Sequence, residues 1–114
     1  MNDALLNRAV ALRHALHAHP ELSGRETWTK QALMDFLRTN TGLEVVDRGS
    51  WFYALCRGRG PGKVAFRADF DALPMEETTP LPYRSQCPGA AHKCGHDGHS
   101  AALDQLGLVL DREE

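Results

Sequence analysis

The sequence predicts an α/β domain in which helices pack on a small mixed sheet that includes a β-hairpin. Three observations point there. Leu5, Ala9, Leu12 and Leu16 recur at intervals of four, three and four, one apolar stripe of an α-helix. Two runs rich in aromatic and β-branched residues flank the turn Gly58-Arg59-Gly60-Pro61-Gly62. An almost continuous apolar segment from Ala101 to Leu110 is long enough for a third helix.

Taken in order, the first helix runs from Asp3, a good N-cap, to about His17, and Pro20 stops it by disfavouring helical geometry at His19. His17 and His19 read as polar residues of a helix C-terminus, where an imidazole suits the dipole, rather than as ligands. Ser23 and Glu26 match a capping box, so a second helix is expected from near Gly24, with a core face of Trp28, Ala32, Leu33, Phe36 and Leu37. Thr39-Asn40-Thr41-Gly42 ends it. Leu43 to Asp47 is a short β-branched run. Trp51 to Arg57 and Lys63 to Asp69 read as strands, joined as an antiparallel hairpin by the glycine-rich turn between them. That turn is a poor phosphate loop, lacking a Lys-Ser/Thr pair and a following helix. Residues 70 to 93 hold four prolines and no periodicity, and a long irregular loop in a small domain usually carries function. In the last helix, from Gly98 to about Arg112, Asp104 and Gln105 are expected on one exposed edge, and Leu103, Leu106 and Leu110 on a surface left uncovered.

With 114 residues and 42% hydrophobic content the chain suits one modest core. A net charge of −2 gives no electrostatic case for nucleic acid or an anionic membrane as partner. No segment is long and apolar enough to span a bilayer, and Met1 to Val10 lacks the apolar run of a secretory signal. Three scattered cysteines, Cys56, Cys87 and Cys94, fit a reducing compartment, so the expected location is the cytoplasm.

The chemistry concentrates in Ala91 to Ala101, read AHKCGHDGHSA, where His92, Cys94, His96, Asp97 and His99 fall within eight positions. In an extended segment Cys94 and His96 would point to the same side, where a thiolate and an imidazole can grip one borderline-soft cation. Asp69 and Asp71, also two apart at the end of the expected strand, would add carboxylate oxygens from one face. A different reading is a closed structural zinc site built from Cys87, His92, Cys94, His96 and His99, although its Cys-x-His-x-x-His spacing is not that of paired zinc elements.

Three stretches, in this order, carry a resemblance: Arg13-His14-Ala15-Leu16-His17-Ala18-His19-Pro20-Glu21-Leu22, Phe66-Arg67-Ala68-Asp69-Phe70-Asp71-Ala72-Leu73-Pro74 and Lys93-Cys94-Gly95-His96-Asp97-Gly98-His99-Ser100-Ala101. The chain resembles the M20 family of metallopeptidases, more narrowly the branch of hippurate hydrolases, N-acyl-amino-acid amidohydrolases and auxin-conjugate hydrolases. The resemblance implies a zinc-peptidase-like catalytic domain, of which residues 1–114 are a single N-terminal part, without the dimerisation domain or the rest of the catalytic domain. It implies two divalent ions, zinc or manganese, with Cys94 and His96 as direct ligands and Asp71 as the acidic residue that supports the metal centre and orients a ligand. The implied reaction is attack of a metal-activated water on the amide of an N-acyl amino acid, a small-molecule substrate, in an enzyme whose full-length relatives are often homo-oligomers. His17, Pro20 and Glu21 match the family's His-x-x-Pro-Glu pattern, which the resemblance does not place among the ligands. Relatives usually have a small residue where Lys93 stands, and a cation there is expected to act on the neighbouring thiol. Glu113-Glu114 follows the last helix too directly to be the family's Glu-Glu base pair, so these residues alone are expected to lack the general base and to be inactive.

Overall fold

A computed structural model describes residues 3–113, the side chains of 3–112; Met1, Asn2 and Glu114, and with them the reading of Glu113-Glu114 as a pair, lie outside the described residues. The element order is α1 (Asp3–Ala18), α2 (Thr27–Asn40), β1 (Glu44–Asp47), β2 (Phe52–Leu55) and α3 (His96–Glu113). The α/β class is as expected. α1 buries its whole predicted stripe, Leu5, Ala9, Leu12 and Leu16. It packs mainly on α3, and α2 packs on α3 as well. Leu12, Leu16, Leu33 and Ala101 form the core, with Phe36, Phe52 and Phe70 against it.

α2 begins three residues later than the expected start, and no side chain at its N-cap, Glu26, makes a capping bond. The cap comes from upstream instead: the Glu21 carboxylate accepts from the Trp28 N–H at 3.2 Å and the Thr29 N–H at 2.6 Å. A carboxylate at a helix N-terminus satisfies free amides and complements the dipole, and here it displaces the capping box. The buried face of α2 is Thr29, Leu33 and Leu37, at i, i+4 and i+8, together with Met34. Trp28 lies beside that face and not on it, 39% exposed, with its ring stacked on His19 at 4.3 Å.

The hairpin is formed by different strands from those expected. β1 pairs antiparallel with β2, Val45 opposite Ala54 and Val46 opposite Tyr53. Its turn is closed by the Arg48 N–H donating to the Trp51 carbonyl at 2.8 Å, with Gly49 at φ 91°, a conformation that suits glycine. This turn is shorter than the one through Gly58 to Gly62, so its strands meet with less ordering of chain. Residues 63–69 form no strand in the described structure, and Val64 and Phe66 are exposed, 82% and 61%.

The long segment after Phe70 is closed at its base. Leu73 and Ala91 exchange backbone hydrogen bonds of 2.9 and 3.0 Å, and Leu22 bridges Ala72. In α3, Asp104 is buried, not on an exposed edge: with Asp97, Ala101 and Leu108 it follows the 4, 3, 4 spacing of the inward stripe, so position overrode polarity. Gln105 is half-buried and Leu110 is 37% exposed. No helix among the described residues is long and apolar enough to cross a membrane.

Candidate metal centre

α3 starts at His96, and Gly95 before it has φ 90°, so Cys94, Gly95 and His96 form a turn into the helix instead of the extended run expected from their spacing. The His99 N–H donates back to the Gly95 carbonyl at 3.0 Å, completing the first helical bond. The turn leaves Cys94 exposed and His96 half-buried.

The loop base brings Asp71 to this turn. His96 Nδ1 lies 3.0 Å from the Asp71 backbone carbonyl and 2.8 Å from its Oδ1. A backbone carbonyl can only accept, so Nδ1 carries the hydrogen, and a neutral ring then presents its lone pair at Nε2. That is the tautomer a metal-binding imidazole needs, set by the contact that metal-binding histidines usually make through their other nitrogen. Asp69 does not join in. Its carboxylate pairs with Arg67 at 3.0 Å on the surface, while its backbone carbonyl accepts from Ser100 Oγ at 2.7 Å. With no strand at residues 63–69, the expected alternation that would set both carboxylates on one face does not operate.

Behind the turn lies a buried polar group that spacing alone does not reveal. His17, at the end of α1, is 4% exposed. Its Nδ1 is 2.9 Å from Asp97 Oδ2, and its Nε2 is 2.8 Å from Glu77 Oε2. Glu77 also accepts from the Ser85 N–H at 2.7 Å and pairs with Lys93 Nζ at 3.1 Å. Burial acts to raise the Glu77 carboxyl, but the hydrogen bonds from Ser85, His17 and Lys93 outweigh it and hold it down at about 2. The Lys93 cation is thus engaged with Glu77 and with Thr79 Oγ1 at 3.2 Å. His17 is no surface residue of a helix end: the first motif, His17 to Glu21, supplies both this contact and the cap of α2, and that is the signal by which it could have been found.

His92 is buried, with no hydrogen-bond partner for either ring nitrogen among the described residues, and burial lowers its pKa. Its ring centre is 6.3 Å from that of His17. His96 and His99 have ring centres 6.1 Å apart. Among the described residues no three His, Cys, Asp or Glu side chains are gathered so as to hold an ion, and the closed five-residue zinc site is therefore not formed. The donors that fit a metal are the two flanking Gly95, an accessible thiol and an imidazole with the correct tautomer.

No family model matches the chain. It is 42% identical over 104 residues to an N-acyl-L-amino acid amidohydrolase of Geobacillus stearothermophilus, covering 89% of this chain and 28% of the relative. It is 37% identical over 115 residues to an N-acetylcysteine deacetylase of Bacillus subtilis, covering 97% of this chain and 30% of the relative. Among solved structures, a dinuclear metal binding peptidase of the M20 family from Bacillus subtilis superposes with a TM-score of 0.92 at 35% identity, over 98% of this chain and 32% of that one. The chain therefore spans about a third or less of the length of these relatives, and over that span it is similar to an amidohydrolase, a deacetylase and an M20-family peptidase.

Proposed function

From that kinship we propose that these residues are the part of a metal-dependent amidohydrolase that supplies Cys94 and His96 as ligands to a pair of divalent ions, zinc or manganese, with Asp71 orienting His96. The observation that carries the reading is the double contact of His96 Nδ1 with the carbonyl and carboxylate of Asp71, which leaves Nε2 as the ligating atom. Bound ions would polarise an amide carbonyl and activate a water, the chemistry needed to cleave an N-acyl amino acid. In a protein of the relatives' length these residues would form the opening part of the catalytic domain, with further ligands and the general base outside them.

The chain's own contribution is positional. Asp71 and Cys94 come from opposite sides of the closed loop, and the pairing of Leu73 with Ala91 at its base sets their separation. Two protein ligands are fewer than the three a catalytic zinc commonly has, so the 114 residues are expected to bind metal weakly and not to hydrolyse N-acyl amino acids. Titration with Co²⁺, read by the thiolate-to-metal charge-transfer band, tests this. The band should appear in the chain and vanish in Cys94→Ser and His96→Ala, and Asp71→Asn should weaken binding roughly 10- to 100-fold. A chain that shows no band, or one that survives both ligand substitutions, refutes the assignment. Turnover of hippurate by the chain, lost in His96→Ala, would show instead that a complete site is present.

A further inference from the structure

The ligand turn is bracketed. The residue before Cys94, Lys93, and the residue after His96, Asp97, are tied to one another through a line of three contacts: Lys93 Nζ to Glu77 at 3.1 Å, Glu77 to His17 Nε2 at 2.8 Å, and His17 Nδ1 to Asp97 at 2.9 Å. The Glu77, His17 and Asp97 side chains are 2%, 5% and 3% exposed, so the contacts are sheltered from water along most of their length. An ionised carboxylate only accepts, so with one at each ring nitrogen the arrangement is fully bonded when both nitrogens of His17 donate.

The hub itself is immobilised. His17 projects from α1, and Tyr83 meets its ring edge-on at 5.4 Å while stacking on His14 at 3.7 Å. Arg13 Nε adds a contact of 3.4 Å to Asp97. The two ends of a five-residue segment are thus held against one rigid helix, and Gly95, the most freely rotating residue within it, has little room to change its φ of 90°. The flanks of the ligands, and not the ligands, are what the line grips.

We propose that Lys93, Glu77, His17 and Asp97 form a clasp that presets the Cys94-Gly95-His96 turn for metal binding, His17 being its central positioning residue. This rests on the metal-centre reading above. Holding a site in its bound geometry before the metal arrives removes an ordering cost that would otherwise weaken binding. It also gives Lys93 a task, closing the clasp, that a small side chain at that position cannot perform.

The test is Co²⁺ affinity and the charge-transfer band of the chain with His17→Gln, Lys93→Met and the double variant, with circular dichroism confirming folding. A clasp predicts an affinity loss of roughly 10- to 100-fold in His17→Gln, a smaller loss in Lys93→Met, and a double variant weaker by less than the product of the two, since both arms act through Glu77. It also predicts a shifted or broadened band, which a merely structural role would leave unchanged in the folded fraction. Wild-type affinity and an unaltered band in both single variants overturn the clasp while leaving the metal-centre reading intact. If His17→Gln does not fold, Lys93→Met decides alone, because Lys93 is partly exposed and its loss leaves the core untouched: an unaltered band and affinity there overturn the proposal. Absence of the band from the unsubstituted chain overturns both readings.

Discussion

Two carboxyls in this small chain are displaced in opposite directions, and their effects on stability have opposite signs. Asp104, buried on the inward stripe of α3 with no hydrogen-bond partner for Oδ2 among the described residues, is pushed by burial from an ordinary 3.8 up to about 8. The native state then holds a proton that the unfolded chain releases, so the contribution of Asp104 is fully favourable below about pH 3.8 and is lost as pH rises to about 8. Asp104→Asn is accordingly expected to stabilise the fold by about 1–3 kcal/mol at pH 8, with the gain shrinking toward pH 4, as read from thermal melts across that range. Glu77 runs the other way. Its carboxyl is held below the ordinary 4.5 at about 2, so the stability it adds is present above pH 4.5 and disappears as pH falls to 2. Acid unfolding monitored by circular dichroism should show part of its loss in that window, and Glu77→Gln should remove that part.

At the level of elements, α2 owes its start to a residue outside it. Glu21→Gln keeps one acceptor but no charge, and Glu21→Ala removes both bonds to Trp28 and Thr29. The alanine variant is expected to lose about 1–2 kcal/mol in urea unfolding, the usual scale of a lost cap, with glutamine in between. The same element shows what a sequence can and cannot disclose. The stripe of α1 was legible because four apolar residues at helical spacing admit one burial pattern. Trp28 misled because an apolar residue beside a stripe looks like part of it, and the phase of α2 depends on where Glu21 caps it. Asp104 misled for the converse reason: its polarity suggested solvent, although its spacing from Ala101 and Leu108 put it inward. The strands were ambiguous in a different way. Runs 43–47 and 63–69 both offered a strand partner to 51–57, and the shorter turn at Gly49 decided for the first. In the site, the pairing of Asp71 with His96 could be anticipated from motifs, whereas the contacts of His17 join residues 60 and 80 positions apart, and their one local trace is the His17-to-Glu21 motif, which names no partner.

For the molecule as a whole, the exposed apolar residues are informative. Val64 and Phe66 stand out from a stretch with no strand partner among the described residues, and Trp51, just before β2, is exposed with Tyr53 and Leu55 on it. Because neither Val64 nor Phe66 packs inside, the double substitution to serine is expected to change folding stability by no more than about 0.5 kcal/mol. It should also reduce self-association measured by analytical ultracentrifugation, since apolar side chains left in water favour contact between copies.

The packing of α1 on α3 also governs how the chain comes to be folded. The main partner of α1 is α3, so during synthesis α1 waits, marginal and amphipathic, until α3 has been made. Closing so large a loop before any reward is gained places folding toward the slower end for a small domain. The proposed ligand turn, lying at the start of α3 and tied back to α1, is therefore among the latest features of this region to take shape, and metal supplied during synthesis would meet two donors on a flexible chain before it meets a site.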